Sequence, residues 1–271
     1  MPVTMINGIE TYYEVHGKGI PIIFIHPPLL NSMNFTYQTG MLSNQFQTIT
    51  FDIRGHGKSQ PSQVELTYPL LVEDIKQLMD VLEIEKAFFC GYSTGGSIVL
   101  EFLLNHPERS CGGILIGGMS EVHDLRLKSV IFLGSMLAKV GAIRFLSLSV
   151  AWSNSVAWSN PDSFGLFWNL FNMARRGNNK NIEQYYRFSL NYNCTSRLST
   201  IHLPVLLIYG AKDKQFHSYG RLLHDHLPNS ELTFIQGVNH QIPTKAASQL
   251  NSLITEFINT HKKFDVETGH I

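Results

Sequence analysis

The chain has 271 residues, 44% of them hydrophobic and only 15% charged, a composition that excludes disorder over most of its length. Its 21 Lys and Arg balance its 21 Asp and Glu. There is thus no basic excess of the kind that tracks a phosphate backbone, and no nucleic-acid partner is expected.

In chain order, Glu10 to Val15 reads as a strand after an Asn7-Gly8 turn, and Pro21 to His26 as a short apolar strand. Phe46 to Asp52 is a third. Tyr68 to Leu82 carries Leu70, Leu71, Ile75, Leu78, Met79 and Leu82 at helical spacing. Lys86 to Gly91 is a fourth strand, followed at once by a helix from Ser93 to Asn105, and Ser110 to Gly117 is a fifth. Fully apolar strands alternating with helices imply a mostly parallel sheet covered on both faces.

From 120 to 200 strand signals vanish, and Trp152, Trp158, Phe164, Phe167, Trp168, Phe171, Tyr185 and Tyr186 crowd together. This segment is expected to be a helical insertion capping the core. It holds one echo, Val150-Ala151-Trp152-Ser153-Asn154-Ser155 followed by Val156-Ala157-Trp158-Ser159-Asn160, too short for a solenoid. Alternation resumes with a strand from Leu203 to Tyr209, a helix from His217 to Leu227, a strand from Glu231 to Gln236 and a helix from Lys245 to Thr260. The organisation is core (1–119), insertion (120–200), core (201–262) and a frayed tail (263–271).

The cysteines Cys90, Cys111 and Cys194 have no metal-ligand spacing and leave an odd count, which points to a reducing compartment. The N-terminus lacks a charged start followed by an apolar run, and the apolar runs are too short to span a bilayer. A cytoplasmic protein with no membrane span is expected. Nothing in the sequence speaks to oligomeric state.

The sharpest chemical signal is Gly91-Tyr92-Ser93-Thr94-Gly95 between an apolar strand and a helix. Small neighbours let a serine occupy a sharp strand-to-helix turn, with its hydroxyl exposed where helix N–H groups converge. A serine hydroxyl needs a base, and the base needs an orienting acid. Of 12 histidines, His240 lies in Gly237-Val238-Asn239-His240, between the last strand and the last helix. His224 and His226 point to different helix faces and make no metal pair. Asp213 follows the strand ending at Tyr209 and is the favoured acid, with Asp124 as its rival.

Phe24-Ile25-His26, Asp52-Ile53-Arg54-Gly55-His56-Gly57-Lys58-Ser59, the Ser93 turn, the run from Pro204 to Asp213, and Gly237 to His240 together resemble the α/β-hydrolase superfamily. The resemblance runs from about Asn7 to Ile258. It implies an α/β-hydrolase fold and a triad of Ser93, Asp213 and His240 acting without metal or organic cofactor. Arg54 and His56 would support neighbouring loops. Relatives usually carry His-Gly after the second strand, with the next residue donating an N–H to the oxyanion. Here His26-Pro27-Pro28-Leu29 places an N–H-less proline at that position. The Thr94 N–H remains as a donor, and Leu29 supplies a second if the loop is shifted by one residue.

The leading expectation is a serine esterase acting on a small, mostly apolar ester. Tyr92, Leu29, Trp152 and Trp168 are the candidate substrate contacts. Carbon–carbon bond hydrolysis by the same three residues, or a ligand-binding and signalling role with slow turnover, are the alternatives.

Overall fold

A computed structural model describes residues 2–155 and 162–262, with side chains omitted for 155 and 162–164. The second copy of the hexapeptide echo, with Trp158, the side chain of Phe164 and the tail from 263 lie outside the described residues.

The elements in order are β1 (Val3–Ile6), β2 (Ile9–His16), β3 (Pro21–Ile25), α1 (Thr36–Leu42), β4 (Gln47–Phe51), α2 (Tyr68–Val81), β5 (Ala87–Tyr92), α3 (Thr94–Asn105) and β6 (Ser110–Ile116). Then come α4 (Leu125–Lys139), α5 (Ile143–Ser155), α6 (Asp162–Ala174), α7 (Asn179–Asn191), β7 (Val205–Gly210), α8 (His217–His226), β8 (Ser230–Ile235), α9 (Ile242–Lys245) and α10 (Ala247–His261). The strands form one sheet in the order β1-β2-β4-β3-β5-β6-β7-β8. Pairing is antiparallel at β1–β2 and β2–β4, and parallel from β4 onward.

Alternation along β3 shows why the central strands are apolar throughout. Ile22 and Phe24 join a core with Leu42 of α1 and with Leu250, Ile254 and Phe257 of α10. Ile23 and Ile25 face the opposite core, with Leu71 and Ile75 of α2, Ile98 and Phe102 of α3, and Leu223 of α8. A strand buried on both faces has no polar side to display. Ile98, Val99, Leu100 and Phe102 are wholly buried, each contributing roughly 1.5–3 kcal/mol of apolar burial. Thr67 caps α2 by accepting the Leu70 N–H.

The helices α4 to α7 are inserted between β6 and β7. The insertion enters and leaves the core at one neck, where the Cys194 N–H donates to the Ser120 carbonyl at 2.9 Å and the Ser120 and Thr195 hydroxyls pair at 2.8 Å. It is tied down again at α7. The Asn178 N–H donates to the Gly55 carbonyl at 2.7 Å, and Asn181 Oδ1 accepts the Ser62 N–H at 2.9 Å. Gly55, at φ +75°, permits this approach: a Cβ there would lie 2.3 Å from Asn181 Oδ1.

Candidate active site

At the carboxyl end of β5 the chain turns sharply into α3, with Ser93 at φ +54° and ψ −123°. The turn is held by the Ser93 N–H donating to the Ile116 carbonyl at 2.8 Å and by the Gly96 N–H donating to the Ser93 carbonyl at 2.9 Å. Gly95 packs so closely that a Cβ would lie 2.3 Å from the Ile25 carbonyl oxygen. Thr94 is the first residue of α3, so its N–H is among those with no acceptor inside the helix, at the positive end of its dipole.

His240 sits on the loop after β8, and that loop is held against the end of β7. The Lys212 N–H donates to the Val238 carbonyl at 3.0 Å, and a Cβ on Gly210 would lie 2.3 Å from the Asn239 carbonyl oxygen. The His240 ring lies over Gly117, where a Cβ would come within 2.7 Å of its Cε1. Gly117 directly follows Ile116, whose carbonyl holds Ser93. The ring stands between Phe216 and Tyr92, at centroid distances of 4.2 and 5.3 Å.

His240 Nδ1 is 2.8 Å from Asp213 Oδ2. A carboxylate only accepts, so Nδ1 carries the proton and Nε2 is left with a free lone pair. Asp124, the rival acid, is engaged elsewhere: it caps α4 by accepting the Leu127 N–H at 2.8 Å and accepts the Tyr219 hydroxyl at 2.5 Å. These bonds hold its carboxyl below the usual range against the opposing effect of burial.

Ser93, Asp213 and His240 line one cavity of about 390 Å³ together with Thr94 and Tyr92. Its walls are mainly apolar: Pro27, Pro28, Leu30, Met119, Leu127, Ile131, Val150 and Phe216. Ser153, Asn154, Gln215 and Gln241 add polar groups. A hydroxyl, an imidazole and a carboxylate opening onto one apolar cavity are the groups that nucleophilic acyl transfer requires.

Three expected contacts are corrected. Leu29 does not line the cavity; its side chain is wholly buried against Ala138, Ile143 and Ile182 under the insertion. Trp152 and Trp168 are 54% and 44% exposed and pack on Phe167 at the outside of α5 and α6. The insertion lines the cavity instead through Leu127, Val130 and Ile131 of α4, Val150, Ser153 and Asn154 of α5, and Tyr186 of α7. Phe216 and Gln241 were also missed, although Phe216 lies three residues after Asp213 and Gln241 directly follows His240.

The proline loop is a turn in which the Leu30 N–H donates to the Pro27 carbonyl at 3.3 Å across Pro28 and Leu29. Leu29 is at φ +63°, so the turn follows the type II order of proline followed by a positive φ. His26 braces it from beneath. The Ile53 N–H donates to His26 Nε2 at 2.9 Å, which leaves Nδ1 as the donor to the Pro27 carbonyl, also at 2.9 Å. Arg54 and His56 lie outside the cavity. Arg54 forms a bidentate pair with Asp74 at 2.6 and 2.5 Å, and the His56 ring stands edge-on to Tyr185. Among the described residues no group of three or more His, Cys, Asp or Glu side chains is placed to hold a metal.

The family model for the alpha/beta hydrolase fold matches residues 20–243. The chain belongs to this family. As a family member it is similar to the human serine hydrolase BPHL, 24% identical over 93% of this chain and 84% of that protein. It is equally similar to the non-heme chloroperoxidase CPO-A1 of Kitasatospora aureofaciens, 24% identical over 96% of this chain and 100% of that one. Among solved structures, the enol-lactonase from Burkholderia xenovorans LB400 superposes with a TM-score of 0.83 at 18% identity, covering 95% of this chain and 100% of its own. At that identity the superposition establishes the fold.

Proposed function

We propose that the protein is a serine hydrolase that cleaves small, mostly apolar esters through an acyl-enzyme intermediate. The observation that carries this reading is the 2.8 Å bond between His240 Nδ1 and Asp213 in the cavity that Ser93 and His240 both line, which leaves the Nε2 lone pair of the neutral ring without that partner. Ser93 Oγ attacks the ester carbonyl while His240 Nε2 takes its proton. The same nitrogen returns that proton to the departing alcohol, and Asp213 stabilises the imidazolium between the two steps. Water, deprotonated by His240 Nε2, then attacks the acyl carbon, and the same nitrogen gives that proton to Ser93 Oγ as its bond to the acyl group breaks and the acid leaves.

The oxyanion is held by the Thr94 N–H at the head of α3 and by the Leu29 N–H, one residue beyond the proline that cannot donate. The residues of the insertion act as a cap that closes the cavity, whose apolar walls select the acyl or alkyl group. The name of the human relative, a serine hydrolase, fits this reading, as does that of the structural neighbour, an enol-lactonase, while the chloroperoxidase's does not.

Turnover of a panel of short nitrophenyl esters, lactones, thioesters and amides tests the reading, with Ser93→Ala run in parallel. Sustained ester turnover that vanishes in Ser93→Ala is the expected result. Pro28 supports a second reading, because losing one oxyanion donor costs about 2.7–4 kcal/mol of barrier. On that reading the protein is a ligand-binding or signalling member of its fold, and the panel would give one slow turnover with retained product. Turnover of a dienoate substrate in preference to every ester would instead mark carbon–carbon bond hydrolysis.

A further inference from the structure

The outer surface of the insertion carries an apolar stripe that is largely exposed. On α4, Leu125, Phe132, Leu133, Met136 and Val140 at its C-cap are 80%, 57%, 58%, 41% and 70% exposed. At 100° per residue they fall within an arc of about 100°. The opposite face of the helix holds Leu127, Ile131, Gly134 and Ala138, all buried, so the stripe is additional to the face that packs on the protein. After the Gly141 turn, Phe145 and Leu148 of α5 repeat the pattern at i and i+3, 69% and 46% exposed, with Trp152 a further turn on, packed on Phe167.

Charge says what the stripe meets. From 125 to 155 the chain has four cations, Arg126, Lys128, Lys139 and Arg144, and no acidic residue, although its overall formal charge is zero. All four are exposed. On the α4 wheel, Arg126 flanks one edge of the apolar arc and Lys128 and Lys139 the other, while Arg144 flanks the α5 stripe. Cations bordering Trp, Phe and Leu are the chemistry of a helix lying in the surface of an anionic bilayer, with apolar side chains among the acyl chains and cations at the headgroups. A second copy of the chain packed two-fold on this face would set the same four cations against their equivalents, which opposes that occupant. No described helix is long and apolar enough to cross a membrane, so the contact would be peripheral.

We infer that α4 and α5 form a docking surface for an anionic lipid bilayer. Val130, 61% exposed on α4, also lines the cavity that holds Ser93, so docking sets the cavity beside the lipid surface. Amphiphilic molecules dissolved in that surface then reach the cavity without crossing bulk water.

Co-sedimentation of the purified protein with large vesicles tests this and reads binding without turnover, so its outcome is independent of the role given to Ser93. Vesicles of about three parts phosphatidylcholine to one part phosphatidylglycerol are expected to bind at least roughly tenfold more strongly than pure phosphatidylcholine. Salt near 1 M is expected to weaken that binding. Each of Arg126→Gln, Lys128→Gln, Lys139→Gln and Arg144→Gln is expected to lower partitioning by roughly fivefold. Phe132→Ser with Phe145→Ser is expected to abolish it while leaving the circular dichroism spectrum unchanged. Equal or absent binding to the two vesicle types overturns the inference. So does a dimer in solution that the Phe132→Ser, Phe145→Ser variant converts to monomer, since a second copy would then occupy the face.

Discussion

Tyr185 of α7 donates its hydroxyl proton to the main-chain carbonyl of His26 at 3.0 Å, joining the insertion to the residue that begins the proline loop. Both residues are wholly buried. This bond ties the position of α7 to the loop that carries Pro28 and Leu29. Tyr185→Phe keeps the ring packing and removes only the hydroxyl. Because it leaves the His26 carbonyl buried without that partner, unfolding stability is expected to fall by about 1–3 kcal/mol in a urea titration. If the loop supplies an oxyanion donor, kcat for a short ester falls as well while KM changes little. An unchanged kcat would separate the loop from the chemistry.

Two buried imidazoles make the fold sensitive to acid. Burial pushes His26 from 6.5 down to about 4 and, aided by the nearby His26 ring, His56 down to about 3. Both values lie below those of the unfolded chain, so the unfolded state binds more protons through this interval. Their contribution to stability is full above about pH 6.5 and is lost as pH falls toward 4 and then 3. Each histidine adds at most about 1.4 kcal/mol per pH unit to the slope. Stability measured between about pH 4.5 and 6 should lose one such increment of slope in His56→Gln. A slope unaltered by that substitution would place the sensitivity elsewhere.

The buried pair of Arg54 and Asp74 is expected to matter for stability and not for chemistry. Their side chains are 2% and 8% exposed, and Arg54 also donates to Ser62 Oγ and the Asn7 carbonyl. Asp74→Ala strands the guanidinium and is expected to cost about 3–5 kcal/mol. The double variant Arg54→Met, Asp74→Leu is expected to recover much of that loss. Denaturant midpoints check both, and a small cost in Asp74→Ala would contradict the placement.

Val150 faces the cavity from α5, so added bulk there shortens the space left for an acyl chain. In Val150→Phe, kcat/KM for a hexanoate ester is expected to fall roughly tenfold further than for an acetate ester. Equal losses for the two esters would mean that the acyl group lies elsewhere in the cavity.

The core was legible in the sequence because the central strands β3, β5, β6 and β7 are buried on both faces and read as largely apolar runs bounded by turns. The Ser93 turn, Asp213 and His240 were legible for a related reason: strand ends in an open sheet place loops side by side however far apart they lie in the chain. Position past a strand end favours Asp213 over Asp124, and in the structure Asp213 meets His240 while Asp124 caps α4. Short elements such as Val3–Ile6 and Thr36–Leu42 left too few residues for a period to show. The insertion was least legible. Helical spacing says that two residues share a face but not whether that face meets the core, the cavity or solvent. So Trp152 and Trp168, which look like pocket aromatics, lie outside, and Val150 and Tyr186 line the wall.

The role of Ser93 as nucleophile is tested most directly by intact mass spectrometry after treatment with a fluorophosphonate. One adduct is predicted on the native protein, mapping to Ser93, absent in Ser93→Ala and formed far more slowly in His240→Ala. Native protein that gains no adduct, or Ser93→Ala that gains the same one, would contradict it.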